Sequence, residues 1–176
     1  VSHTTDLAVD FGRKVRNIID SEMYKNIFPT IALAADSKSA GRWNTNSGGE
    51  YYACGVGSAL AGRGADLLLV DDPHSEQDVL SGNFDVFSRA YEWFTYGART
   101  RLMPGGRVAI VQTRWHMDDL TGRVTRDMLQ NDMSDQYEIV EFPAILSHED
   151  PETGDMTGKA LWPEWLPMEA LLKTKA

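Results

Sequence analysis

Residues 66–75 read DLLLVDDPHS: an unbroken apolar run from Leu67 to Val70 that ends on two adjacent carboxylates, Asp71 and Asp72, ahead of Pro73 and His74. A short apolar run without polar alternation is the pattern of a parallel strand buried on both faces. Parallel strands need crossover connections, which points to an α/β sheet. In open α/β sheets ligands bind just beyond the carboxyl ends of the strands, where the two acids fall.

Working outward from this strand, RVAIVQT at 107–113 reads as a second buried strand ending in polar residues, and YEIVEFPAI at 137–145 as another strong one. YYACGVGS at 51–58 reads as a strand entering a glycine-rich stretch, while 22–50 is polar and irregular with a turn at SGGE, 47–50. Leu7, Phe11, Val15 and Ile18 recur at three- and four-residue spacing and predict an amphipathic helix from Thr5 to about Ser21. A second helix is expected over Asn83–Leu102, stopped by MPGG, and a third over Asp118 to about Met133, with Asp118 and Asp119 at its positive end. The tail ALWPEWLPMEALLKTKA reads as a loop followed by a short helix. Strands alternating with helices predict a mostly parallel sheet with helices on both faces.

The chain has 176 residues, 42% of them hydrophobic, enough for one globular domain and too apolar for a disordered one. A formal charge of −9 argues against a nucleic-acid footprint over the whole surface, although Arg13, Lys14 and Arg16, and Arg99, Arg101 and Arg107, form local basic groups. No apolar run approaches the ~20 residues that cross a bilayer, and the N-terminus lacks a basic-then-apolar signal, so a cytosolic protein is expected. The single cysteine, Cys54, rules out an internal disulfide and reads as a small buried side chain. The chain opens on Val1 without a Met, as a fragment or processed product would.

The polar ends of the two strands are the expected site walls: the first offers Asp71, Asp72 and His74, the second Gln112, Thr113, Arg114 and His116. An Asx turn or helix cap ahead of Pro73 is the competing structural use of the acids. A hydrophobic strand ending in two acids is also the Walker B arrangement of nucleoside triphosphatases, with one acid at magnesium and the next near the water that attacks the γ-phosphate. Magnesium keeps several of its waters, so one protein carboxylate suffices. Asp71 is therefore expected at Mg2+ and Asp72 at the water. GSALAGRG at 57–64 has Walker A glycine spacing, but Arg63 stands in place of Lys and Gly64 in place of Ser or Thr. It also fails as a dinucleotide fingerprint, with Leu60 at the third glycine position. Arg63 is the conspicuous charge of this loop, available to a phosphate in its own subunit or a neighbour's. His3, His74, His116 and His148 lack a metal-ligand spacing, which leaves a hydrolase metal held by Asp71, His74 and His116 as a weaker reading.

Taken together, GVGSALAGRGADLLLVDDPHSEQDV, TRLMPGGRVAIVQTRWHMDDLTGRV, EFPAI and ALWPEWLP, in this order and spacing, resemble the ATPase domain of the large terminase subunit of tailed bacteriophages. The resemblance implies a three-layer, mostly parallel sheet of the P-loop NTPase (ASCE) type, incomplete here. It makes residues 1–160 a partial ATPase domain with the Walker B and coupling motifs, and 161–176 the start of a linker towards a missing nuclease domain. It implies a DNA-packaging motor that uses ATP and Mg2+ to drive double-stranded DNA into a procapsid. The motor would be a homo-oligomeric ring at the portal protein, working with the terminase small subunit in the host cytoplasm and with no membrane. In the family the second acid is commonly Glu, where this chain has the shorter Asp72. The QTRWH segment looks like the coupling motif, with Thr113 near the γ-phosphate and Gln112 and Arg114 beside it. Arg63 resembles a candidate arginine finger. A Walker A loop is lacking, so the chain alone is expected to hydrolyse ATP poorly or not at all. The alternative is a non-catalytic terminase module that binds DNA, portal or small subunit.

Overall fold

The structure, a computed structural model, describes residues 1–37, 39–149 and 156–175. The chain is mixed α/β and divides into two compact units, Val1–Asp135 and Gln136–Ala176.

The first unit is organised around one parallel pair, β3 (Ala65–Asp71) against β4 (Leu102–Val111). Its register places Leu68 beside Val108, Val70 beside Ile110 and Asp71 beside Val111. The strand read from the apolar run is present, but its burial alternates. Leu68 and Val70 are 6% and 0% exposed, whereas Leu67 and Leu69 are 61% and 48% exposed. Burial on both faces is therefore met on one face only. Side chains along a strand alternate between faces, so one face of β3 carries the buried Leu68 and Val70 and the other the exposed Leu67 and Leu69. At the tip of β3 the chain start lies alongside: the Asp71 amide donates to the Val1 carbonyl (2.8 Å) and the His3 amide to the Asp72 carbonyl (3.1 Å). Beyond it, Ser2 bridges to Gly55 in the parallel sense.

Helix α1 (Thr5–Ile19) starts on Thr4, whose hydroxyl accepts from the Leu7 amide. Its buried face is Ala8, Gly12 and Ile19, rotated from the large apolar residues that announced the helix; Val15 and Ile18 are 39% and 59% exposed. The reason is close approach. A Cβ on Gly12 would lie 2.6 Å from the Ala40 carbonyl oxygen, and the Trp43 indole donates to the Gly12 carbonyl (3.1 Å). A short helix α2 (Glu22–Ile27) follows in the stretch read as irregular, capped by the Ser21 hydroxyl. Strands β1 (Arg42–Asn44) and β2 (Glu50–Tyr52) form an antiparallel hairpin whose turn holds SGGE, with Gly48 at φ +87°.

After β3 comes α3 (Glu76–Leu80), which begins with a capping box between Ser75 and Asp78. The helix expected over 83–102 is broken into α4 (Asp85–Glu92), a π-helical turn (Trp93–Ala98) and a 3-10 turn (Arg99–Arg101). The Trp93 indole donates to the Ser58 carbonyl (2.9 Å) at this change of pitch. MPGG belongs to β4, not to a loop, and is absorbed as an irregularity opposite Ala65–Leu67, where Gly105 takes φ +81°. Helix α5 is Leu120–Gln130.

In the second unit, β5 (Ile145–Glu149) and β6 (Met156–Ala160) form an antiparallel pair, and α6 (Met168–Lys175) is the short helix expected in the tail. Residues 137–144 are not a strand, contrary to the reading of YEIVEFPAI. Ile139, Val140 and Phe142 are 47%, 65% and 78% exposed, and Pro143 has no N–H for a ladder, so hydrophobicity alone does not make a strand without a neighbour to pair with. Among the described residues no helix is long and apolar enough to cross a membrane.

Candidate functional site

The carboxyl ends of β3 and β4 lie side by side, and Asp72 joins them. Its amide donates to the Val111 carbonyl (2.9 Å), and its carboxylate accepts from the Thr113 amide (3.3 Å). Asp72 has φ +41°, the left-handed region; among non-glycine residues Asp and Asn enter it most readily. Such a conformation costs on the order of 1 kcal/mol and persists where surrounding bonds fix it, as they do here. Asp71 is half-buried, and alternation puts its side chain on the same face as the exposed Leu67 and Leu69. Its amide is used by the Val1 carbonyl, while no hydrogen bond reaches its carboxylate among the described residues. The side-chain amide of Gln112 has both its nitrogen and its oxygen buried without a partner.

The loop from Thr113 to Asp119 is built around Asp119, which the sequence reading placed only as one of two acids favourable to a helix dipole. Asp119 is 0% exposed and is the N-cap of α5. Its two oxygens accept from the Arg114 Nε (3.0 Å), the Trp115 amide (3.0 Å), the His116 amide (3.2 Å) and the Gly122 amide (2.8 Å). Burial pushes its carboxyl upward, but these donors outweigh burial and hold the pKa below the ordinary carboxylate value. Gly122 is required by the same closure, since a Cβ there would run into the Met117 carbonyl oxygen. Arg114, expected beside a phosphate, spends Nε on Asp119 and donates from Nη2 to the His116 carbonyl (3.2 Å). The sequence signal for Asp119 was its position three residues before Gly122, an N-cap reaching the third amide of a helix.

His74 is 4% exposed. Its Nε2 accepts from the Leu120 amide (3.0 Å), and its ring meets Phe87 edge-on at 4.8 Å. Burial lowers its pKa from the usual 6.5, with the Asp119 and Asp78 carboxylates opposing. His116 stacks on Phe84 and Phe87, and its Nδ1 accepts from the Asp118 amide (3.1 Å). Each imidazole thus has one nitrogen already committed as an acceptor. No group of three or more His, Cys, Asp or Glu side chains able to hold a metal occurs among the described residues. The side chain of His148 lies outside the described residues.

Arg63 is not at this end of the strand. It precedes β3, whose length of Ala65–Asp71 is about 20 Å at roughly 3.3 Å per residue, far beyond the reach of one side chain. There its guanidinium pairs with Glu50 (3.1 Å) and lies 3.9 Å over the Tyr52 ring. Residues 57–64 form turns with Gly57 and Gly62 at positive φ and lead into a strand. Cys54 is 3% exposed, and burial raises its thiol pKa, as befits a packing residue.

Comparison of the chain with family models, with curated proteins and with solved structures found no match.

Proposed function

We propose that the chain is a portion of the ATPase domain of a terminase-like DNA-packaging motor, with its nucleotide half-site at the tips of β3 and β4. The observation that carries the reading is the Asp72 carboxylate receiving the Thr113 amide across two adjacent parallel strands. This puts the acid pair and the QTRWH segment, separated in sequence, at one sheet edge. The donor set suits a hard cation. Asp71 offers a carboxylate without a hydrogen bond, and a magnesium ion that keeps several of its waters needs no more than one from the protein. Asp71 would hold Mg2+, which when bound neutralises phosphate charge. Asp72 orients water while its bond to Thr113 links it to the coupling loop. Arg114 acts by shaping that loop through Asp119, and a role for Arg63 as an arginine finger is confined to a neighbouring copy in a ring. The finer fold, a three-layer P-loop type sheet, and the partners, double-stranded DNA, portal and small subunit, belong to the same proposal.

The alternative is a non-catalytic module that binds DNA, portal or small subunit. One observation favours it: residues 57–64 lead into a strand instead of joining strand to helix, and they supply no phosphate-binding lysine. Magnesium-dependent binding of a fluorescent ATP analogue separates the two. The half-site reading expects weak binding that requires Mg2+ and disappears in Asp71→Ala with the fold retained. Binding that is indifferent to Mg2+ and to Asp71→Ala, or no binding at millimolar analogue, would sink it.

A further inference from the structure

The two loops at the strand tips are joined twice, and only one of the joints belongs to the acid pair. The first is the exposed bond from the Thr113 amide to Asp72. The second is buried: the Leu120 amide, the first of α5, donates to His74 Nε2 at 3.0 Å. We propose that His74 is a positioning residue whose ring nitrogen docks the first turn of α5 against the loop leaving β3 and so sets where Thr113 meets Asp72. Its action rests on hydrogen bonding through the protein, without contact to any substrate.

The bonds form a closed circuit. His74 receives Leu120; Leu120 follows Asp119; Asp119 gathers Arg114, Trp115 and His116; and that stretch begins at Thr113, which returns to Asp72, two residues before His74. The first amides of a helix have no intrahelical partner, so the Leu120 N–H needs an acceptor from elsewhere, and in this buried place the ring supplies it. An accepting Nε2 means a neutral imidazole with its proton on Nδ1. Phe87 and, through His116, Phe84 hold the rings in place. The charged groups facing His74 are the carboxylates of Asp119 on α5 and Asp78 on α3.

The test compares His74→Leu, which deletes the acceptor, with His74→Gln, whose Oε1 restores one. Amide hydrogen exchange is followed at 113–119 and, as reference, within β4. The expected result is exchange at 113–119 faster by about tenfold in the Leu protein and near wild type in the Gln protein, since a lost hydrogen bond changes an opening equilibrium by roughly that factor. Equal acceleration in β4 would mean general destabilisation and overturn the proposal, as would a Gln protein no better than the Leu protein. Nitrogen NMR of wild-type His74 guards against a Leu protein that fails to fold: an Nδ1–H tautomer with Nε2 coupled to the Leu120 amide is expected, and the opposite tautomer refutes the docking bond. No nucleotide enters these experiments, so their failure and the failure of the ATPase reading are separate results.

Discussion

The two ends of β3 are built on different plans. At its carboxyl end the chain is closed by buried acceptors: Asp119 receives four different donors with no exposure of its own, and His74 receives a helix amide at 4% exposure. At its amino end the contacts are surface pairs. Arg63 meets Glu50 and Tyr52, and Arg42 shares the same Glu50 carboxylate. Only the first plan allows a site to be precise. Bonds to a buried acceptor cannot be replaced by water, so they define positions to within their own length, whereas exposed ion pairs compete with solvent and are worth little.

The sharpest way to break this contrast is Asp119→Ala. It orphans the Trp115, His116 and Gly122 amides and frees Arg114, with an expected loss of about 3 kcal/mol, seen as a fall in Tm of roughly 10 °C. Asp118→Ala, one residue away on an exposed pair with Arg126, serves as the control and should leave Tm nearly unchanged. A loss at Asp118 equal to that at Asp119 would show that the buried cap is not what closes the loop.

Acid titration gives the next effect. His74 is neutral in the fold and its pKa is lowered by burial, so the unfolded chain takes up the proton first as pH falls. The contribution of His74 is fully present above pH 6.5 and is lost progressively as pH drops from 6.5 towards the lowered folded value. The slope is at most about 1.4 kcal/mol per pH unit for this one group. Urea unfolding between pH 7.5 and 5 measures it, with His74→Gln expected to flatten the curve; an unchanged slope in that variant would assign the acid sensitivity elsewhere. The smallest effect belongs to the other end of the strand. Arg63→Ala should cost within about 1 kcal/mol, because its pair with Glu50 and its contact with Tyr52 are both partly exposed. A larger loss would make the amino end as structural as the carboxyl end.

Several elements were legible because they depend on near neighbours in sequence. The β3 run, the α1 spacing, the 47–50 turn and the tail helix all express local preference, and the structure has each of them. The misreadings share one cause. Which face of α1 is buried turned on the approach of Ala40 and Trp43 to Gly12, and large residues gave way to small ones. Residues 137–144 have strand-like composition, yet pairing is a property of two segments. Asp119 was read together with Asp118 as an acid at the positive end of a helix, and its burial and its four donors set it apart.

By itself, the sequence determined that an apolar strand ends on Asp71 and Asp72 and that a second strand ends near Gln112 and Thr113, because strand patterning and its termination are local. Tertiary structure alone decided that these ends are neighbours, that Asp72 accepts from Thr113, that His74 is an acceptor for Leu120, and that Arg63 pairs with Glu50. The physical reason is that hydrogen-bond partners distant in sequence are selected by register and burial. Both come from the packing of the whole unit, and neither is written in any one stretch of residues.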